Sequence, residues 1–241
     1  MTGTLYGVGL GPGDPELMSV RADRLVRGAK HIAFFRKAGR SGRARTIVEG
    51  MLRADAAEFA MEYPVTTEIP LSDPRYNDVL SCFYTECMDH LEALVRGGED
   101  VVVLCEGDPF FYGSFMHVYE RLKDKIPVQV VPAITGMSAA WTASGAPITW
   151  GDDILSTVMG TLNEQTLTKA IEAADALVIM KIGRNLPKVR RALDAACKAD
   201  RAVLIEYASM DGETVRPLAE FDGETLPYFS IILVHGQGRR P

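Results

Sequence analysis

The residues of this 241-residue chain best suited to chemistry lie in three short loops rich in glycine and proline. The run Glu106-Gly107-Asp108-Pro109-Phe110-Phe111-Tyr112-Gly113 joins two carboxylates to three consecutive aromatic rings. Turn chemistry accounts for its Gly-Asp-Pro core, while acids beside aromatic faces also suit a cationic, partly apolar ligand. The run Gly7-Val8-Gly9-Leu10-Gly11-Pro12-Gly13-Asp14 lets a ligand approach the backbone closely, and read alone it fits a tight turn as well. Its spacing is not G-x-G-x-x-G, and Arg36 stands where a ribose-binding acid would follow the second strand, which speaks against a dinucleotide site. In the third run, Val131-Pro132-Ala133-Ile134-Thr135-Gly136-Met137-Ser138, Thr135 can cap a helix where one domain hands over to the next.

A basic segment adds a fourth feature. Arg36, Lys37, Arg40, Arg43 and Arg45 fall within ten residues that contain no acid. A solvated helix face accounts for them, and so does a ligand rimmed with carboxylates, which arginine grips bidentately. His31, His90, His117 and His235 form no cluster and the four cysteines show no C-x-x-C pair, so no metal site is expected.

These loops must be held by strands and helices. Apolar runs predict strands over residues 5–8, 31–35, 57–61, 101–104 and 128–131, then 155–158, 176–180, 202–206 and 230–234. Asp14, Pro15 and Glu16 form a start signal for a first helix carrying Met18, Ala22, Leu25, Val26 and Ala29. The longest helix is expected over 73–96, with Leu80, Phe83, Cys87, Leu91 and Leu94 on one stripe and Gly97-Gly98 ending it. Helices over 163–174 and 185–198 separate the later strands. Alternating strand and helix predicts α/β architecture with mostly parallel sheets, in two domains spanning 1–134 and 135–241. All three loops then fall at strand ends, where open parallel sheets bind ligands.

Bulk properties narrow the class. A hydrophobic content of 47% can build a substantial core, and a net charge of −6 without a long basic block speaks against nucleic acid as partner. No apolar run reaches the ~20 residues a membrane span needs. The opening residues do not read as an export signal, and the scattered cysteines fit a reducing cytoplasm.

Taken in order, Gly-x-Gly-Pro-Gly-Asp, Gly-Asp-Pro and Val-Pro-Ala-Ile-Thr resemble the motifs of the tetrapyrrole methylase family, with Ala133 standing where that family commonly has glycine. The likeness extends to Met180-Lys181, Glu206-Tyr207-Ala208-Ser209 and Tyr228-Phe229-Ser230. The resemblance implies two α/β domains with S-adenosylmethionine in a cleft between them, S-adenosylhomocysteine as product, and a homodimer. It carries cofactor contacts onto Pro12, Gly107, Asp108, Phe111, Thr135, Gly136, Met180 and Ala208. It also implies a tetrapyrrole substrate whose carboxylate arms would meet Arg36, Lys37, Arg40, Arg43 and Lys181. Glu106, Asp108 and Tyr112 are the candidates for a base. Within the family, Glu106 to Phe115 together with Met180 to Arg184 are similar to the branch acting at C20 of precorrin-2. Whether the ring carries cobalt has no signature in the sequence.

Overall fold

The structure is a computed structural model and describes residues 1–64 and 74–239. The chain divides into two compact units, Met1–Thr135 and Gly136–Pro241.

In the first unit β1 (Leu5–Gly9), β2 (His31–Lys37), β3 (Ala57–Tyr63), β4 (Val101–Cys105) and β5 (Val128–Val131) form one sheet in the order β3-β2-β4-β1-β5. Every pairing in it is parallel. All five strands therefore end at the same edge. The helices are α1 (Val20–Gly28), α2 (Arg43–Ile47), α3 (Pro74–Arg96) and α4 (Phe115–Leu122). Asp73, the expected first residue of the long helix, lies outside the described residues.

Strand β4 shows why the sheet is buried on both faces. Val101, Val103 and Cys105 pack with Phe83, Leu91 and Val95 of α3 and Phe115, Val118 and Leu122 of α4. Val102 and Leu104 point the other way, onto Ala22 and Val26 of α1 and Ala44 and Ile47 of α2. A strand apolar at every position is what a sheet covered on both faces requires.

The first helix starts later than its signal predicts. Asp14 does accept the Glu16 N–H, at 2.8 Å, but it caps only one turn of 3-10 helix, Pro15–Leu17. The chain is extended at Met18, and Ser19 provides a second cap, its Oγ accepting from Ala22 N–H at 3.1 Å. The residues that α1 buries, Ala22 and Val26, follow this second cap.

In the second unit β6 (Leu155–Met159), β7 (Ala176–Met180), β8 (Ala202–Glu206), β9 (Thr214–Pro217) and β10 (Ser230–Val234) order as β6-β7-β10-β8-β9, with α5 (Gly136–Ala143), α6 (Glu164–Ala173) and α7 (Leu186–Ala195). The two-unit α/β class is as expected, but mostly parallel pairing holds only for the first sheet. Here β6–β7 is parallel while β7–β10, β10–β8 and β8–β9 are antiparallel. A parallel return needs a crossover, usually a helix. Between Glu206 and Ser230 the chain makes only the short β9 and one 3-10 turn, so β10 returns antiparallel. Because β7 and β8 both run against β10, their carboxyl ends share one edge.

Candidate functional site

The loops leaving β1, β4 and β5 converge at the carboxyl edge of the first sheet. Gly9 is where they meet: a Cβ there would lie 2.6 Å from Ala133 Cβ, 2.8 Å from Gly107 O and 2.9 Å from Pro109 Cδ. No side chain fits at this position. Leu10 N–H donates to Cys105 O at 2.9 Å, and Gly107 N–H donates to Gly11 O at 2.8 Å, closing a bridge between the first two loops. Gly11 holds φ +82° and Gly107 φ +66°, both in the left-handed region that glycine enters without penalty. Pro12 is buried beside them.

Asp108 ties in the third loop. Its Oδ1 accepts from Phe110 N–H at 2.9 Å and its Oδ2 from Ala133 N–H at 2.9 Å. Both oxygens are thus engaged by backbone, one as a local turn and one as a pin between the β4 and β5 loops.

Glu106 stands immediately after β4. Burial pushes its carboxyl above the usual glutamate range, and the positive charge of Arg43 offsets part of that shift. Arg43 is the first residue of α2, which packs Ala44 and Ile47 into the core shared with Leu104 of β4. The fold therefore brings the basic segment to the candidate acid. Tyr112 is exposed with φ +55°, a conformation uncommon outside glycine, and its ring meets Phe111 edge-on at 4.9 Å. Phe110 packs instead on Tyr119, at 4.8 Å.

The other basic residues are less uniform than their spacing suggests. Arg36 and Glu62 face each other across β2 and β3, with Nε donating to Oε2 at 2.9 Å. Arg45 makes a two-pronged pair with Glu58, at 2.6 and 3.0 Å, which holds its guanidinium above its ordinary pKa. The acids missing from the segment itself arrive from the neighbouring strand. Lys37, Arg40 and Arg43 are exposed.

In the second unit Met180 ends β7 and Lys181 follows it, exposed, at φ +52°. Ala208 lies between Tyr207 and Ser209, which hold φ +55° and +57°. Tyr207 N–H donates to Phe229 O at 2.8 Å, so the runs after β8 and before β10 meet at the same edge. Non-glycine residues at positive φ carry strain and gather at functional sites, and nothing local in the sequence marked these three. Glu206, buried, accepts from Thr214 Oγ1 at 3.2 Å and pairs with Arg216. Thr135 and Gly136 sit where one unit ends and α5 begins.

Among the described residues no group of three or more His, Cys, Asp or Glu could hold a metal ion. No described helix is long and apolar enough to cross a membrane.

The sequence profile of the Tetrapyrrole (Corrin/Porphyrin) Methylases matches residues 4–222. The chain belongs to this methylase family. A precorrin-2 C(20)-methyltransferase from a Sinorhizobium species is 46% identical to this methylase over 239 residues, covering 99% of this chain and 98% of that protein. The cobalt-precorrin-2 C(20)-methyltransferase of Salmonella typhimurium is 28% identical over 242 residues, 98% of each. The solved uroporphyrin-III C-methyltransferase of Thermus thermophilus, complexed with S-adenosylhomocysteine, superposes with TM-score 0.64 at 22% identity, over 96% of this chain and 97% of that one. That likeness shows the methylase fold.

Proposed function

We propose that this methylase transfers a methyl group from S-adenosylmethionine to C20 of precorrin-2 in cobalamin biosynthesis. The observation that carries the reading is end-to-end identity of 46% with a precorrin-2 C(20)-methyltransferase. The lower identity, 28%, to the cobalt-precorrin-2 enzyme favours the metal-free ring.

The residues present suit the cofactor. Gly107 leaves open space where a side chain would stand, with Asp108 and the partly exposed Phe111 following it. We assign Pro12, Gly107, Asp108 and Phe111 to the cofactor, with Thr135, Gly136, Met180 and Ala208 added on family resemblance. When bound, the cofactor supplies the methyl as a sulfonium, whose positive charge disappears on transfer to carbon. The protein's part is alignment and exclusion of water.

Loss of the proton at the methylated bridge carbon calls for a base. Of the three candidates Glu106 fits best. Asp108 already accepts two backbone N–H groups, and Tyr112 is exposed to water. Burial keeps the Glu106 carboxyl basic. Arg40, Arg43, Lys37 and Lys181 would hold the substrate's carboxylates, and Arg36 would do so after leaving Glu62. The same reading makes the protein a cytoplasmic homodimer.

Carbon-13 NMR of the product from precorrin-2 and methyl-labelled cofactor tests the assignment. One labelled methyl on C20 is expected, and a label at any other ring carbon would reject the branch while leaving the family intact.

A further inference from the structure

A serine before a helix ordinarily turns its hydroxyl back to accept a first-turn N–H. Ser114 occupies that place ahead of α4 and makes no such bond. Its Oγ instead accepts from Tyr63 Oη at 2.5 Å, and Tyr63 Oη lies 3.2 Å from Tyr84 Oη. Three hydroxyls, from β3, from α3 and from the residue before α4, therefore meet in a partly buried position of the first unit.

Each ring is fixed by packing. Tyr63 stacks on Phe35 at 5.4 Å and touches Phe83 at 5.0 Å. Tyr84 is buried beneath the Arg121 guanidinium, at 4.7 Å, with His117 at 5.1 Å. Hydroxyls on closely packed rings make a good anchor, because packing leaves less conformational freedom to be lost when they bond.

What hangs on the anchor is the loop from Glu106 to Gly113, which runs directly into Ser114. The loop folds back on its own start, for a Cβ on Gly113 would lie 3.3 Å from Pro109 O and 3.5 Å from Asp108 O. A shift of Ser114 thus moves Gly113 against the Asp108–Pro109 backbone. Asp108 in turn holds Ala133.

We propose that Tyr63 is a positioning residue for the methyl-transfer site: through Ser114 it fixes the exit of the Glu106–Gly113 loop, and so the geometry of the residues assigned to the cofactor. This rests on the cofactor reading above. The coupling runs through the Tyr63–Ser114 hydroxyl pair.

The test uses Tyr63→Phe, which keeps the ring, Ser114→Ala, Ser114→Thr and the double variant Tyr63→Phe/Ser114→Ala in the full chain. Amide hydrogen exchange of residues 110–113 and 133 is measured without ligand, and S-adenosylmethionine affinity by calorimetry. Loss of one neutral hydrogen bond predicts exchange about 3- to 10-fold faster and cofactor binding weaker by a similar factor in either single variant. The double variant should be no worse than the worse single one, and Ser114→Thr, which retains the hydroxyl, should stay near wild type. Unchanged exchange in the loop, or single effects that simply add, would overturn the proposal even if the melting temperature falls. A wild-type chain that fails to bind S-adenosylmethionine would instead reject the cofactor reading, and the exchange data would still decide the role of Tyr63.

Discussion

Replacing Asp108 by alanine should separate a structural pin from a ligand contact. The carboxylate accepts from Phe110 N–H and Ala133 N–H, each at 2.9 Å. Hydrogen bonds to a charged group contribute about 1.5–3 kcal/mol each, and a buried donor left unpaired costs about 1–3 kcal/mol. Phe110 is exposed, so water replaces most of its lost bond, whereas the Ala133 bond is partly buried. The net loss is then about 2–4 kcal/mol. At roughly 2–4 °C per kcal/mol for a chain of this size, Asp108→Ala should lower Tm by about 5–15 °C. If the free loops then sample other arrangements, cofactor affinity falls by the same free energy, about 30- to 700-fold. Asp108→Asn should fall between, since its carbonyl can accept one N–H while its NH2 group cannot accept the other. Calorimetry and thermal melting give the two quantities, and exchange at the Ala133 amide reports the pin itself. If Asp108→Ala abolishes binding with Tm and Ala133 protection unchanged, Asp108 acts on the ligand and the pin argument is wrong.

Gly9→Ala should disrupt the same convergence from the other side. Its Cβ would come within 3 Å of Ala133 in one neighbouring loop and of Gly107 and Pro109 in the other, at an expected cost of about 1–3 kcal/mol and with loss of cofactor binding, while Gly28→Ala, with nothing within 4 Å and no positive φ, should leave binding unchanged. Equal binding by Gly9→Ala and wild type would sink the convergence argument. Glu106 gives a pH signature. Its folded pKa is raised, so its stability contribution is full below the unfolded pKa and is lost as pH rises through the folded one. Glu106→Gln should therefore gain stability over wild type in urea titrations once the pH rises above the unfolded carboxyl range, as expected for a removed, partly desolvated charge, while methyl transfer drops. Arg43→Ala removes the charge that lowers the Glu106 pKa and should move the acid limb of the kcat/KM profile to higher pH. A limb that stays put or moves down would exclude Glu106 as the group seen.

Residues 128–131, 176–180, 202–206 and 230–234 were legible as strands with the limits they have in the fold, because an uninterrupted apolar run bounded by polar or turn-forming residues is a local signal. Gly11 and the Gly-Asp-Pro turn were legible for the same reason, since each answers to backbone geometry within a few residues, whereas the need for glycine at position 9 comes from Gly107, Pro109 and Ala133. Parallel pairing of the first sheet followed from its helical crossovers, and with it the placement of three loops at one edge. The antiparallel strand β10 was recoverable in principle from the missing helix before it, although apolar periodicity alone says nothing of direction. Tertiary structure decided the rest. That Glu62 answers Arg36 depends on β2 lying beside β3, that Glu58 answers Arg45 depends on α2 reaching β3, and that Arg43 acts on Glu106 depends on α2 packing over β4. The choice of Asp108 as pin and Tyr63 as anchor depends on Ala133 and Ser114, residues remote in sequence that meet only once the strand order β3-β2-β4-β1-β5 is set. Such contacts leave no periodic trace, since each side chain is chosen for one partner that the chain must fold to reach.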